Sequence, residues 1–136
     1  MSEQDAFYAV FAHVKLSADY ILHIDVEFEG ELTTTMLDKH KQLVFDKFSH
    51  QFDTSNRIGI LFDVRRISLL KIPQAVMRDN ATNDPFQNIQ KGVALLVNSK
   101  VLQQIAMFYI RIYRPTIPTK IFTEEDNARK WLNTLS

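Results

Sequence analysis

Arg57-Ile-Gly-Ile-Leu-Phe-Asp-Val64 is a short, nearly unbroken apolar run that stops at Asp63 and leads into Arg65 and Arg66. Too short for a full helix and rich in β-branched and aromatic residues, it reads as a strand buried on both faces. Gly92-Val-Ala-Leu-Leu-Val97 reads the same way. Strands apolar on both sides belong to parallel sheets whose faces are covered by helices, so these two runs predict an α/β fold.

Upstream, the even positions Tyr8, Val10, Ala12, Val14 and Leu16 are apolar, and Tyr20, Leu22, Ile24, Val26 and Phe28 repeat the pattern. Such alternation predicts two half-buried strands joined at Ser17-Ala-Asp19 as an antiparallel hairpin. If Leu16 faces Tyr20, His13 falls opposite His23, and His23, Asp25 and Glu27 share the outward face. Thr33 to Thr35 supply N-caps for a helix ending near Phe48. Met36, Leu37, Leu43, Val44 and Phe48 form its apolar stripe, with Asp38, Lys39, Lys41 and Gln42 opposite, His40 at the boundary and His50 in the turn beyond. This helix is the crossover between the hairpin and the 57–64 strand, which makes those two strands parallel.

Downstream, Pro73 opens a helix to about Asn80, and Asn80-Ala-Thr-Asn-Asp-Pro85 breaks it. Asn98-Ser99 caps a helix from Lys100 that must end by Arg114, before Pro115. In that helix Leu102, Ile105, Ala106, Tyr109 and Tyr113 are expected on the sheet, leaving Met107, Phe108 and Ile110 to point elsewhere. A short strand at Lys120-Ile-Phe122 then leads to a helix capped by Thr123, with Glu124, Glu125 and Asp126 near its positive end and Ala128, Trp131, Leu132 and Leu135 buried.

The order, together with Phe28-Glu-Gly-Glu-Leu-Thr33, Ile60-Leu-Phe-Asp63, Ala94-Leu-Leu-Val97 and the ending Lys120-Ile-Phe-Thr-Glu-Glu-Asp-Asn-Ala-Arg-Lys-Trp-Leu132, resembles the SpoIIAA-like group of the STAS domains and the related STAS/SEC14-type small proteins. The resemblance spans nearly the whole chain. It implies one domain over residues 1–136: a mixed, mainly parallel five-stranded sheet with a β-hairpin start and about four helices. It also implies a binding or regulatory role without chemistry, as the type members are anti-sigma-factor antagonists. Those antagonists carry a phosphorylated serine in the loop after the central strand. Here that region reads Lys71-Ile-Pro-Gln74, and Ser68 lies four residues too early, so the phospho-switch does not carry over.

Composition narrows the function. The chain of 136 residues holds 16 basic and 16 acidic residues, which gives no basic field for nucleic acid. It has no cysteine, hence no disulfide, thiolate nucleophile or cysteine-held metal. The polar Met1–Asp5 start lacks a secretory pattern and no run is long and apolar enough to span a membrane, so a cytoplasmic protein is expected. Glycine-rich phosphate loops, serine elbows and paired-histidine zinc motifs are absent, and no enzyme, cofactor or metal is expected.

Ligands of open α/β sheets gather beyond the carboxyl ends of the strands. Those ends place Asp63, Arg65 and Arg66 near Asn98, Ser99 and Lys100, a candidate anion or small-ligand site. The competing reading makes Ser99 a simple cap and the arginines solvated. His13, His23 and Asp25 are better explained as structural or solvent-facing than as metal ligands. Met107, Phe108 and Ile110 are a candidate apolar interface or pocket, because a helix apolar all round must be covered all round, either by the segment from Ile67 to Lys91 folded over it or by a partner chain or apolar ligand. The expectation is therefore a non-catalytic binding module, homodimeric or with a protein or small-ligand partner. The alternative is a carrier of a lipid-like molecule, with Met107, Phe108 and Ile110 lining its pocket and Arg65, Arg66 or Lys100 holding an acidic head group.

Overall fold

A computed structural model describes residues 6–52, 56–67, 86, 88–113 and 117–135. Its strands are β1 (Ala6–Ala9), β2 (Ala12–Leu16), β3 (Ile21–Val26), β4 (Ile58–Asp63), β5 (Gln90–Leu96) and β6 (Thr119–Phe122). The helices among the described residues are α1 (Thr34–Phe48), α2 (Lys100–Tyr113) and α3 (Glu125–Thr134), with a 3-10 turn at Ser49–Gln51 that contains His50. The helix expected from Pro73, and the loop region Lys71–Gln74, lie outside the described residues.

One sheet runs in the order β1-β2-β3-β4-β5-β6. The first two pairings are antiparallel and the next three parallel. The α/β class and the mainly parallel sheet are as expected, but six strands stand where five were expected. The stretch read as one strand from Phe7 to Leu16 folds back at Val10–Phe11, so that Ala9 pairs with Ala12. Val10 takes φ 57, an unusual conformation for a β-branched residue, and the Phe11 amide donates to the Ala9 carbonyl at 2.5 Å. This fold-back inverts the alternation of β1. Ala9 is buried, and Tyr8, expected inside, is 50% exposed.

The β2–β3 register is also shifted by two residues. Tyr20, at φ 61, closes a turn by donating its amide to the Ser17 carbonyl, and Leu16 then pairs with Leu22 rather than Tyr20. Parity survives a two-residue shift, so the buried faces stand. The expected His13–His23 pair does not: His13 lies opposite Asp25, and His23 opposite Lys15.

The larger core lies between one sheet face and helices α1 and α2. It contains Leu22, Ile24, Val26, Ile58 and Ile60 from the strands, Leu37, Val44 and Phe48 from α1, and Ala106 from α2. Thr33 caps α1 by accepting from the Met36 amide at 3.2 Å. The buried face of α1 is rotated from the expected one, since Lys41 and His40 are inside and Leu43 is 41% exposed. His40 is 2% exposed and stacks on Phe11, its ring centroid 4.3 Å away. Its Nδ1–H donates to the Ala9 carbonyl at 2.9 Å, so the helix pins the very carbonyl that closes the Val10 turn.

The smaller core covers the opposite sheet face. Ala128 and Leu132 of α3, flanked by Trp131 and Leu135, pack on Ile21, Leu61, Ala94 and Leu96. The buried face of α3 is the expected one. Its cap is not, because the helix begins at Glu125 with Glu124 rather than Thr123 as its N-cap. Gly59 and Gly92 are cross-strand neighbours that let α3 come close. A Cβ on Gly59 would lie 3.3 Å from both Cβ and Cδ2 of Leu132, and one on Gly92 would run into the Leu135 side chain. Neither glycine has a positive φ, so closeness rather than backbone freedom selects them.

Two outcomes follow for stability. Gly59→Val is expected to lower unfolding stability by about 1–3 kcal/mol in urea titrations, the cost of overpacking a filled interface; an unchanged midpoint would contradict the close approach of α3. Burial holds His40 below the usual imidazole range; the field of Lys41 adds to this, and the bond to the Ala9 carbonyl only partly offsets it. Below about pH 6.5 the unfolded chain therefore takes up a proton that the folded chain resists. Stability should be flat above that pH and fall as pH drops below it, with the slope reduced in His40→Gln.

Candidate functional site

The carboxyl ends of β3 and β4 bring Asp25 and Asp63 side by side. Asp63 is the last residue of β4 and 1% exposed. A carboxylate so deep needs donors, and it has four. The His23 Nε2–H donates at 3.0 Å, the Arg65 amide at 3.1 Å, Arg65 Nε at 2.9 Å and Arg65 Nη2 at 2.7 Å. Burial pushes the carboxyl up, but the bonds from His23 and Arg65 outweigh it and hold Asp63 well below the usual carboxylate range.

The cluster continues onto α3. Arg65 Nη2 also reaches Glu125 Oε1 at 3.2 Å, and Glu125 Oε2 accepts from Arg129 Nε at 2.9 Å. Burial raises the Glu125 carboxyl, and the Arg129 hydrogen bond with the surrounding positive charge brings it below its ordinary value. Arg129 Nη2 faces His23 Nδ1 at 3.4 Å. Arg66 sits at the open edge, its Nε 3.2 Å from each oxygen of Asp25.

Of the residues expected to form a site, Asp63, Arg65, Arg66 and Asn98 do come together, since Asn98 Nδ2 donates to the Arg65 carbonyl at 2.9 Å. Ser99 is the cap of α2, accepting from the Leu102 amide at 3.1 Å. Lys100 is the exposed first residue of that helix. Arg65 is bonded to Asp63 and Glu125 through Nε and Nη2, and Arg66 to Asp25 through Nε alone, so the N–H groups left for an incoming anion are chiefly those of the exposed Arg66. His13 is separate from the cluster, bonding Glu27 Oε2 at 2.8 Å on the exposed face of the sheet.

Sequence reasoning did not connect Glu125 and Arg129 to the strand ends. The available signal was their i,i+4 spacing, which marks an acid–base pair on one side of a helix but not what that side meets.

His23, Asp63 and Glu125 offer ligand atoms within 4.8 Å of one another, close enough to raise a metal site. The chemistry around them does not suit one. A metal on His23 Nε2 would move the ring proton to Nδ1, where Arg129 presents only N–H groups, whereas a ligating histidine needs an acceptor there. Both carboxylates are also already neutralised by guanidinium. The arrangement serves as an electrostatic clamp of β3, β4 and α3.

The apolar candidates divide. Ile110 and Leu102 are half-buried on the larger core, with Ala106 buried between them, at spacings of one helix face. Met107 and Phe108 are 37% and 61% exposed. Ile105, expected on the sheet, is instead 41% exposed and Val101 is 70% exposed. The helix is rotated from the expected setting because Leu102, Ala106 and Ile110 at i, i+4 and i+8 make the inward stripe. The side chains of Tyr109 and Tyr113 lie outside the description.

The chain belongs to the family described as a domain of unknown function (DUF7793), whose sequence model matches residues 15–136. Comparison with curated proteins finds no match. Among solved structures it is similar to an uncharacterised protein of the DUF3478 family from Shewanella loihica PV-4, which has a SpoIIAA-like fold. The two share 16% identity and a TM-score of 0.56, over 88% of this chain and 90% of that one. The likeness is one of fold, and the fold is SpoIIAA-like.

If the clamp is structural, Asp63→Ala leaves His23 and Arg65 without their acceptor. The expected loss is about 3 kcal/mol, near the lower end for breaking a buried pair because Arg65 can turn toward water. Urea unfolding of Asp63→Ala checks this. A carboxyl held low in the folded state stabilises above its unfolded pKa, so the Asp63 contribution should be intact above about pH 4 and lost as pH falls further.

Proposed function

We propose that this chain is a non-catalytic binding module of SpoIIAA-like fold that engages a protein partner through the outer face of α2. The observation that carries this reading is the apolar pair Val101 and Ile105, at i and i+4 on the outer side of α2, exposed by 70% and 41%. Burying a fully exposed side chain of this kind is worth about 1.5–3 kcal/mol, and the part of Val101 and Ile105 still in water gives this face a share of that driving force for association.

The state of the polar cluster supports a role without chemistry. A general base needs a nitrogen or oxygen free to meet a substrate. Both ring nitrogens of His23 face other side chains, and Asp63 is filled by donors from His23 and Arg65. The division of the apolar residues favours an interface over a pocket, since Met107 and Phe108 face out while Ile110 packs into the core. No helix among the described residues is long and apolar enough to cross a membrane.

Val101→Ser with Ile105→Ser should leave unfolding stability within about 0.5 kcal/mol, as expected for surface positions. The same pair should abolish capture of the partner from lysate of the source cells. Native mass spectrometry gives the opposing outcome: a lipid retained by the purified chain would replace this reading with that of a carrier.

A further inference from the structure

The chemistry of the partner is written on the flank of the apolar pair on α2. Helix α2 contains no aspartate or glutamate, and its charged residues are Lys100 at the start and Arg111 near the end. Lys100, Gln104, Met107 and Arg111 are all exposed and follow one another at i, i+4, i+7 and i+11. That spacing places them on a single line beside the apolar pair, with the two cations about 16 Å apart at a rise of about 1.5 Å per residue.

A second copy of the chain fits this surface poorly. A two-fold contact is self-complementary, the same patch meeting itself. With the two helices antiparallel, Lys100 of one copy falls against Arg111 of the other, and like charges set opposite one another across an interface oppose binding. With the helices parallel, the basic lines lie on opposite sides of the contact and meet no carboxylate of the facing helix, because α2 has none.

Resting on the reading that α2 is the binding face, we propose that it receives an acidic amphipathic segment of another protein rather than a second copy. The apolar side of that segment covers Val101 and Ile105, and its carboxylates lie along the line from Lys100 to Arg111. The apolar contact supplies most of the affinity, and the two cations select the sign of the partner and its direction along the helix.

The test uses the full chain and two synthetic helical peptides that share one leucine stripe, flanked in one by glutamates and in the other by lysines. Fluorescence anisotropy at low salt should give about tenfold tighter binding of the glutamate peptide, the order expected for two charge pairs changing sign. Lys100→Glu with Arg111→Glu should invert that order, and Val101→Ser with Ile105→Ser should weaken both peptides. Equal binding of the two peptides would overturn the charge inference and leave the binding face standing. A dimer in sedimentation that is lost in Val101→Ser with Ile105→Ser would hand the face to a second copy. Binding to phosphatidylserine vesicles in preference to either peptide would hand it to a membrane surface. If neither peptide binds and the serine variants change nothing, the binding role of α2 falls as well.

Discussion

A carboxylate buried at the end of the central strand constrains much of this molecule. Asp63 is shut from water, and an ionised carboxylate there is tolerable only while donors surround it. Those donors come from β3, through His23, and from the residues just past β4, through the amide and side chain of Arg65. Arg65 then reaches Glu125, and Glu125 holds Arg129. One desolvated charge thereby fixes the spacing of two parallel strands, the turn that leaves the sheet and the first turn of α3.

The apolar contacts of α3 act with this clamp. Gly59 and Gly92 remove the side chains that would hold the helix off, and Leu132 and Leu135 occupy the space that results. The other face of the sheet is covered by α1 and α2, so β4 is buried from both sides. His40 is the polar counterpart on that face. It spends one nitrogen on the Ala9 carbonyl and leaves Nε2 without a hydrogen-bond partner, a cost offset by stacking on Phe11 and by fixing the Val10 turn.

These features separate structure from interaction. The cluster at the strand ends, where the fold would place a ligand, is occupied by its own counter-charges. Exposed apolar residues are concentrated elsewhere, on α2, whose own charged residues are two cations and no anion, while Tyr8, Tyr20 and Leu43 are exposed singly. In a binding module this division has a physical logic, because the charges that hold the fold are not available to be disturbed by a partner. In the proposed module, the partner would instead meet a surface whose burial is favourable and whose two cations reject the wrong sign.

The sequence by itself determined the class of fold and most of its elements. The apolar run ending at Asp63, the alternation in β2 and β3, the caps at Thr33 and Ser99 and the face of α3 are local patterns that depend on near neighbours, and each was legible. The residues Asp63, Arg65, Arg66 and Asn98 were also legible as a group, from their place at the strand ends. Only the tertiary structure decided what turns and rotations control. Val10 and Tyr20 adopt left-handed conformations that their residue types do not announce, and these add a strand and shift a register, parting His13 from His23. The settings of α1 and α2 follow from which side chains the sheet can accept, so Lys41 goes in while Leu43 and Ile105 stay out. The members of the Asp63 cluster that α3 supplies, Glu125 held by Arg65 and Arg129 held by Glu125, come from more than sixty residues further along the chain. No spacing rule spans that distance; only the close packing of α3 over Gly59 and Gly92 brings those charges to the end of β4.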